Sequence, residues 1–524
     1  MKLLDLETIS ASVTARAFMA AEPRLTSRFR TQSVTPAFCA QRSLQGASRG
    51  RLRELITTSM IPLELSDSQQ TSLEKISLQT SVVVATGQQI GMLGGPMYTL
   101  YKIRTAVAEA RRIESSLGVP AVAVFWLEDN DHDAAEAAHL TLPGENSLPT
   151  SVSVWENDQQ RLPVSMRLCD TDMQEHVARV STLLAGPMQE VTQQRIQQCW
   201  TSGTSWGDAF MAMLAPYLQQ WGVLVVRASE VIRSGMHQPL VMMEVEKGAI
   251  TDALRAGTAE CESVGLGVQA QVPEFGFFVI DNNERRRPTR TEPGLAERAQ
   301  NSSDAFSPSV LTRPLVQDAL LPTVMNVLGA AELAYHAQLS EAYSACGIEQ
   351  PVAVMRHGAT LCTPKVQRLL SKSETTVEFY LRPWSDIERS LADALTQEMF
   401  PDAEQRAASV ASLLAPYRVA AESTDTTLIA TVESQRAGIT ASLEALEGKI
   451  RAAAKRRNAS VVDRAKTIHA SVMPNDTLQE RVYPLALWEA QIGIDGIIAA
   501  LDVFDAVGAG HHCLIDLPAG HASA

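Results

Sequence analysis

Ser81-Val-Val-Val-Ala-Thr-Gly-Gln-Gln-Ile-Gly-Met-Leu-Gly-Gly-Pro-Met-Tyr-Thr-Leu-Tyr-Lys102 is the stretch on which the fold turns. The apolar, β-branched run Val82 to Val84 suits a fully buried parallel strand. Gly87, Gly91, Gly94 and Gly95 free the backbone for tight turns, and Pro96 stands where a helix would begin. Strand, loop and helix in this order predict a site for a nucleotide or small substrate, with unpaired N–H groups at the helix start facing an anion. The spacing matches neither a dinucleotide fingerprint nor a P-loop, because no Gly-Lys-Ser/Thr closes it and Lys102 comes later.

Working outward, Ile103, Val107, Ala110, Ile113 and Leu117 recur at helical spacing, and Gly118 is placed to cap the helix. Pro120 opens a second buried run, Ala121 to Trp126. Strand, helix and strand predict a βαβ unit with Ala85 and Trp126 near the carboxyl edge of one parallel sheet, where ligands bind. Two further helix–strand pairs, Asp208 to Gln220 before Gly222 to Arg227 and Ala330 to Cys346 before Val352 to Met355, extend this to a doubly wound α/β core.

The remaining segments divide the chain into a helical cap (1–80), the core (81–375), a helical arm (376–475) and a C-terminal helix and tail packing on the core (476–524). Leu52, Leu55 and Ile56, then Leu73 and Ile76, form the stripes of the cap. Residues 140–204, with the alternating Ser151-Val-Ser-Val-Trp155, and residues 265–307 read as insertions. In the second, Gly276 to Ile280 predicts a strand turning at Asn282-Asn283, and Arg285, Arg286 and Arg287 read as a solvated hairpin end rather than a binding patch. In the arm, Ile439, Leu443, Leu446, Ile450 and Ala453 alternate four and three apart, the seam of paired helices. A hairpin packed within its own domain and a dimer-forming arm stand equally open.

A formal net charge of -14 over 524 residues argues against non-specific nucleic-acid binding and against an anionic membrane surface. Asp5, Glu7 and Arg16 interrupt the apolar residues of the N-terminus, so no signal peptide is expected, and no segment reaches transmembrane length. Seven dispersed cysteines without a C-x-x-C pair point to a reducing cytoplasm.

Three clusters carry candidate chemistry. Asp129-Asn-Asp-His-Asp133 follows the second strand, with Glu136 and His139 beyond it. His132, Glu136 and His139 at i, i+4 and i+7 would share a helix face and could hold a divalent metal. Capping roles for Asp129 and Asp131, with Glu136 and His139 solvated, are the simpler reading of the flanks. Asp131, His132 and Asp133 sit where a crevice opens: a carboxylate there can grip a substrate ammonium, and histidine can move a proton from an attacking amine. Arg313, held extended by Pro314, can clamp a carboxylate, with Gln317 and Asp318 about one turn on; a structural Arg313–Asp318 bridge is the alternative. Leu370-Ser-Lys-Ser373 and His511-His512-Cys513 are short enough matches, to a phosphate-holding lysine loop and to metal ligands respectively, to arise by chance.

The opening stretch, T-G-Q-Q-x-G-x-x-x-G-P-x-Y-x-x-Y-K, resembles the signature of the bacillithiol biosynthesis cysteine-adding enzymes. The resemblance continues through Val124-Phe-Trp126 and Asp131-His-Asp133, Phe306-Ser-Pro308 with Leu311, Arg313-Pro-Leu315, Gln317-Asp318, Leu321-Pro-Thr323, Ala334-Tyr335, Ala337-Gln-Leu339 and Leu478-Gln-Glu-Arg481. It implies a Rossmann-like core with insertions and a coiled-coil domain. The implied reaction joins the carboxyl group of L-cysteine to the amine of glucosaminyl-malate, the last step of bacillithiol synthesis. ATP or another nucleotide is the implied activator, and a metal is left open. Thr86, Gly87, Gln88, Gln89, Gly91, Gly95 and Pro96 would then hold the nucleotide or activated carboxylate, with Tyr98 and Lys102 stabilising negative charge. Asp131, His132 and Asp133 would orient the ammonium or take the amine's proton. Arg313, Gln317 and Asp318 would hold malate, and Trp126, Tyr335 and Gln338 would complete the substrate site. A homodimer through the arm is implied. The family pattern before Asp131 is a small residue and then an acidic one, whereas Glu128, Asp129 and Asn130 stand here, and Asn130 removes an expected carboxylate. Ala330-Ala331 replaces a Pro-Gly-like pair, and His336 a tryptophan. The competing reading is a non-catalytic coiled-coil dimer whose Rossmann-like domain only binds a metabolite or nucleotide.

Overall fold

The structure, a computed structural model, describes residues 2–5, 9, 12–29, 33–144, 148–153, 162–282, 284–396 and 399–518. Trp155 and Asn283, expected in a strand and a turn, lie outside them. Two compact units are present: Met1–Gln367 with Thr477–Ala524, and Arg368–Asp476.

The first unit is built on a five-stranded parallel sheet. Its order is Val352–Met355, Thr323–Leu328, Val82–Gln89, Ala121–Glu128, Leu224–Arg227. The first strand in sequence thus lies at the centre, and successive strands add on one side before the chain crosses to the other, which is the doubly wound Rossmann-like arrangement. Val82, Val83 and Val84 are fully buried, as expected of a strand covered on both faces. The strand does not stop there. Thr86 to Gln89 continue the ladder against Phe125 to Glu128, because parallel pairing needs only backbone groups. Ala85 is therefore mid-strand, and the carboxyl edge is formed by Gly87 to Gln89 beside Trp126 to Glu128.

The glycines beyond the strand serve packing. A Cβ on Gly91 would lie 2.7 Å from the Gly95 Cα, and one on Gly94 would meet the Leu485 side chain at 2.8 Å. Gly94 and Gly95 also adopt positive φ, which favours glycine. The Gly95 carbonyl accepts from the Leu485 N–H at 2.9 Å, Met97 N–H donates to the Tyr483 carbonyl at 3.2 Å, and Pro96 bridges to Pro484. The helix Tyr98–Leu117 follows and ends at Gly118 in the left-handed conformation.

Other expectations are modified. Ala330 to Cys346 forms two helices, Ala330–His336 and Ser340–Ala345; at the break the Ala337 carbonyl accepts from the Arg28 side chain at 3.2 Å instead of a helical N–H. The first insertion contains the hairpin His139–Pro143 with Pro149–Ser153 and the helices Thr171–Ser181 and Gln189–Cys199. The second contributes an antiparallel sheet in the order Glu284–Arg286, Phe277–Asp281, Phe306–Pro308. A further sheet joins the two ends of the chain: Lys2–Leu4 pairs with His512–Asp516, which pairs with Gly358–Cys362. His512 is thereby a buried strand residue bonded to the Thr360 hydroxyl at 2.9 Å.

The second unit is helical. Ala403–Thr424 and Leu428–Arg457 form a hairpin in which Arg406 Nη1 bonds both carboxylate oxygens of Glu447, at 2.7 and 2.8 Å. Within this unit Leu443, Leu446 and Ile450 remain 38, 53 and 37 % exposed. Among the described residues no helix is long and apolar enough to cross a membrane.

Candidate active site

A cavity of about 700 Å³ opens outside the carboxyl ends of the two central strands. Gly87, Gln88 and Gln89 line it from one strand and Trp126 and Glu128 from the next. The turn after the second strand adds Asp131, His132 and Asp133; the second insertion adds Phe278, Arg285 and Arg287. Arg313, Glu332 and Tyr335 enter from the helices on either side of Thr323–Leu328.

Arg313 is the first residue of the helix Arg313–Leu320 rather than an extended residue. Pro314 is tolerated in the first turn because the N–H it lacks would be unpaired there. Arg313 Nη1 donates to Gln317 Oε1 at 3.1 Å, one turn on, and Nη2 lies 3.4 Å from the Tyr335 hydroxyl. A Cβ at residue 87 would stand 3.3 Å from Arg313 Nη1, so glycine there admits the guanidinium against the strand end. Among the described residues Arg313 forms no ion pair. Burial opposes its charge, but Tyr335, Glu332 and Glu128 hold its pKa above the ordinary guanidinium value. Burial pushes Tyr335 up to about 12, which keeps its hydroxyl protonated.

Asp318 does not bridge to Arg313. It lies behind the lining and accepts from Gln317, Asn326 and Tyr343 at 3.0, 2.9 and 2.6 Å. Gln317 thus links the cavity arginine to a buried polar hub. Lys102 is also behind the lining: its Nζ reaches Gly87 O at 2.7 Å, Gln88 Oε1 at 3.0 Å and Glu332 Oε2 at 2.5 Å. Tyr98 accepts from Gln88 at 3.1 Å, and Thr86 donates to Val327 O at 2.9 Å, tying adjacent strands. Gln338 bonds Thr258 and the Ala270 backbone, and Gly91, Gly95 and Pro96 sit in the packed loop; none of these four lines the cavity.

Asp131 is the centre of the opposite wall. It accepts from Gln89 Nε2 at 2.6 Å, from its neighbour's backbone N–H at 2.7 Å and from Arg285 Nη1 at 2.9 Å, with His132 Nδ1 at 3.2 Å. Burial opposes the charge, yet these contacts hold its carboxyl well below the usual range. Asp133 caps the short helix Ala134–Ala138 by accepting from Glu136 N–H at 2.9 Å. That helix leaves His132 before it and His139 on the following strand, so the proposed i, i+4, i+7 face does not form. Among the described residues no group of three or more His, Cys, Asp and Glu is placed to hold a metal.

The arginine triplet is a solvated end only in part: Arg287 is exposed and Arg286 half-buried, but Arg285 is buried. In the strand Glu284–Arg286 alternate residues face opposite ways, and the alternation continues to Arg287. Arg285 donates to Ser307 Oγ at 3.0 Å and Pro308 O at 2.5 Å and lies 4.0 Å from the Phe278 ring centroid; Arg287 lies 4.5 Å from the same ring. Arg286, on the other face, pairs with Asp281 and Glu292. Period-two alternation was the signal available for this split.

Glu128, like Phe278 and Glu332, is a cavity residue that sequence reasoning passed over. It ends the second strand on the same face as Trp126, whose indole N–H donates to Glu128 Oε2 at 3.1 Å. Burial pushes its carboxyl up to about 7, against the pull of Arg313 and Arg285. Asn130, in contrast, is buried and donates to Ser307 Oγ at 2.6 Å.

A doubly wound sheet with a charged cleft at its carboxyl edge, followed in sequence by a helical-hairpin unit, defines a Rossmann-like protein with a coiled-coil domain. Residues 1–357 match the family described as Bacillithiol biosynthesis BshC, N-terminal Rossmann-like domain, and residues 359–516 match its C-terminal coiled-coil domain. The chain belongs to this family. A relative from Salinibacter ruber (strain DSM 13855 / M31), named "Putative cysteine ligase BshC", is 29% identical over 465 residues, spanning 83% of this chain and 84% of its own. One of the same name from Geobacillus kaustophilus (strain HTA426) is 27% identical over 513 residues, spanning 92% and 94%. These names support a ligase of bacillithiol biosynthesis acting on small molecules.

Proposed function

We propose that this chain joins the carboxyl group of L-cysteine to the amine of glucosaminyl-malate, forming an amide and completing bacillithiol. The observation that carries the reading is a single cavity in which Arg287 and Arg313 are both without ion pairs among the described residues, opposite Asp131 and Glu128. Two guanidiniums without ion pairs suit the two carboxylates of a malate group, since planar forked donors match carboxylate geometry. Asp131 and Asp133 suit an ammonium. Trp126, Phe278 and Tyr335 offer ring faces and edges to a sugar.

A free carboxylate resists attack by an amine, so an activated form of the cysteine carboxyl is part of the proposal, with ATP or another nucleotide supplying the activation. In the glycine loop two of the N–H groups are already engaged: Gly95 N–H donates to Met92 O and Met97 N–H to Tyr483 O. Phosphate charge entering this cavity would rest on Arg285, Arg287 and Arg313 instead. A homodimer through the arm belongs to the same reading, supported by the exposed Leu443, Leu446 and Ile450 seam. Seven free thiols support the cytoplasm as its compartment.

The test is purified full-length protein incubated with glucosaminyl-malate, cysteine and ATP or other nucleoside triphosphates, read by mass spectrometry. Bacillithiol and consumption of one triphosphate are expected. Tight ligand binding without turnover under any triphosphate would instead favour a binding protein.

A further inference from the structure

The carboxylates lining the cavity differ in how far they are already engaged. Asp131 is taken up by Gln89, His132 and Arg285, and Glu332 by Lys102 and the Gly329 N–H. Asp133 is exposed and caps a helix. Glu128 has no ion pair among the described residues, and only its Oε2 is engaged, by the Trp126 indole. Trp126 therefore fixes the carboxyl while Oε1 remains uncommitted at the cavity wall.

We propose that Glu128 is a catalytic residue, the group that takes a proton from the substrate ammonium and so releases the amine that attacks the cysteine carboxyl carbon. This rests on the ligase reading above. An N–H bond of the ammonium breaks, an O–H bond forms on Glu128, and the electron pair stays on nitrogen; it then makes the C–N bond to the activated cysteine carboxyl as the C–O bond to the activating phosphate or nucleotidyl group breaks, that group leaves with the electron pair, and the nitrogen's remaining surplus proton passes to water. The charges facing Glu128 are set for the task. Arg313 on its helix and Arg285 on the hairpin favour the carboxylate, Asp131 on the adjoining turn disfavours it, and desolvation in the cleft outweighs the attraction to leave it titrating at about 7. A base with that acidity is ionised for part of the time at neutral pH and still strong enough to accept a proton.

The sign of the pH dependence follows: the carboxylate is the working form, so kcat/KM rises as pH increases through about 7. Glu128→Gln should lower kcat on the order of 10²-fold or more, leave KM for glucosaminyl-malate within a few-fold, and flatten that limb. Glu128→Asp should keep part of the activity. A Glu128→Gln enzyme with wild-type kcat, or with the limb retained, overturns the inference and passes the role to His132. A second readout does not need turnover. Glucosaminyl-malate binding near pH 7, measured calorimetrically in two buffers of different ionisation enthalpy, should release protons from wild type and none from Glu128→Gln. Equal release from both, or none from wild type, also overturns it. Wild-type protein that releases protons on binding but makes no bacillithiol would remove the ligase reading while leaving Glu128 as the titrating group.

Discussion

Arg313 reaches the end of the central strand because residue 87 has no side chain. A Cβ there would press on both Arg313 Nη1 and the Trp126 carbonyl at 3.3 Å, closer than most side-chain contacts. Gly87→Ala should therefore displace the guanidinium by a few tenths of an ångström and raise KM for glucosaminyl-malate about tenfold, roughly 1.4 kcal/mol of binding. The thermal midpoint should stay nearly constant, since the cavity side is open to adjustment. Unchanged KM would show that Arg313 does not bear on the substrate. Arg313 could be singled out in the sequence from its polar neighbours and the following proline, although the proline begins a helix here instead of holding the arginine extended. Glu128 could not. It closes a run of seven buried residues, and nothing in that run marks the last residue as facing a cleft. Asn130 and Glu128 read together were the available hint: the carboxylate missing at one position stands two residues earlier, on the face that meets the cavity.

At the scale of elements, the hairpin in the second insertion makes the sharpest contrast. Arg285 and Arg286 are neighbours in sequence with opposite surroundings. Arg285→Ala should cost about 3 kcal/mol, because removing one partner of a largely buried pair strands the other, and should abolish activity. Arg286→Ala breaks ion pairs at a partly exposed site and should cost less than about 1 kcal/mol with activity intact. Chemical denaturation and steady-state rates of the two variants check this; equal effects would mean that the alternation does not separate site from surface. The glycine loop teaches the converse. Glycine spacing showed that backbones approach closely, but the partner of Gly94 and Gly95 is the Leu485 segment, and a contact nearly four hundred residues away in sequence leaves no local trace.

At the scale of the whole molecule, four strands of the parallel sheet were legible because buried β-branched runs and intervening helical periods are local signals, whereas Thr323–Leu328, which pairs with the central strand, was not read as a strand because Asn326 interrupts its apolar run. The sheet joining Lys2–Leu4 to His512–Asp516 was not, since both strands are short and each finds its partner at the far end of the chain. The seam of the arm was legible as a pattern and left its partner open; Leu443 and Leu446 remain exposed after the hairpin has formed. Sedimentation analysis of wild type should give a dimer, and the double variant Leu443→Glu, Leu446→Glu a monomer with unchanged helical content; a monomeric wild type would contradict the arm's proposed role. The central claim, that the cleft around Arg313 makes the last bond of bacillithiol, is tested most directly by the thiol profile of cells lacking this gene, complemented with wild type or Arg313→Ala. Accumulated glucosaminyl-malate without bacillithiol is expected in the deletion and with Arg313→Ala, and recovery with wild type. Wild-type bacillithiol levels in the deletion, or in cells carrying only Arg313→Ala, would contradict it.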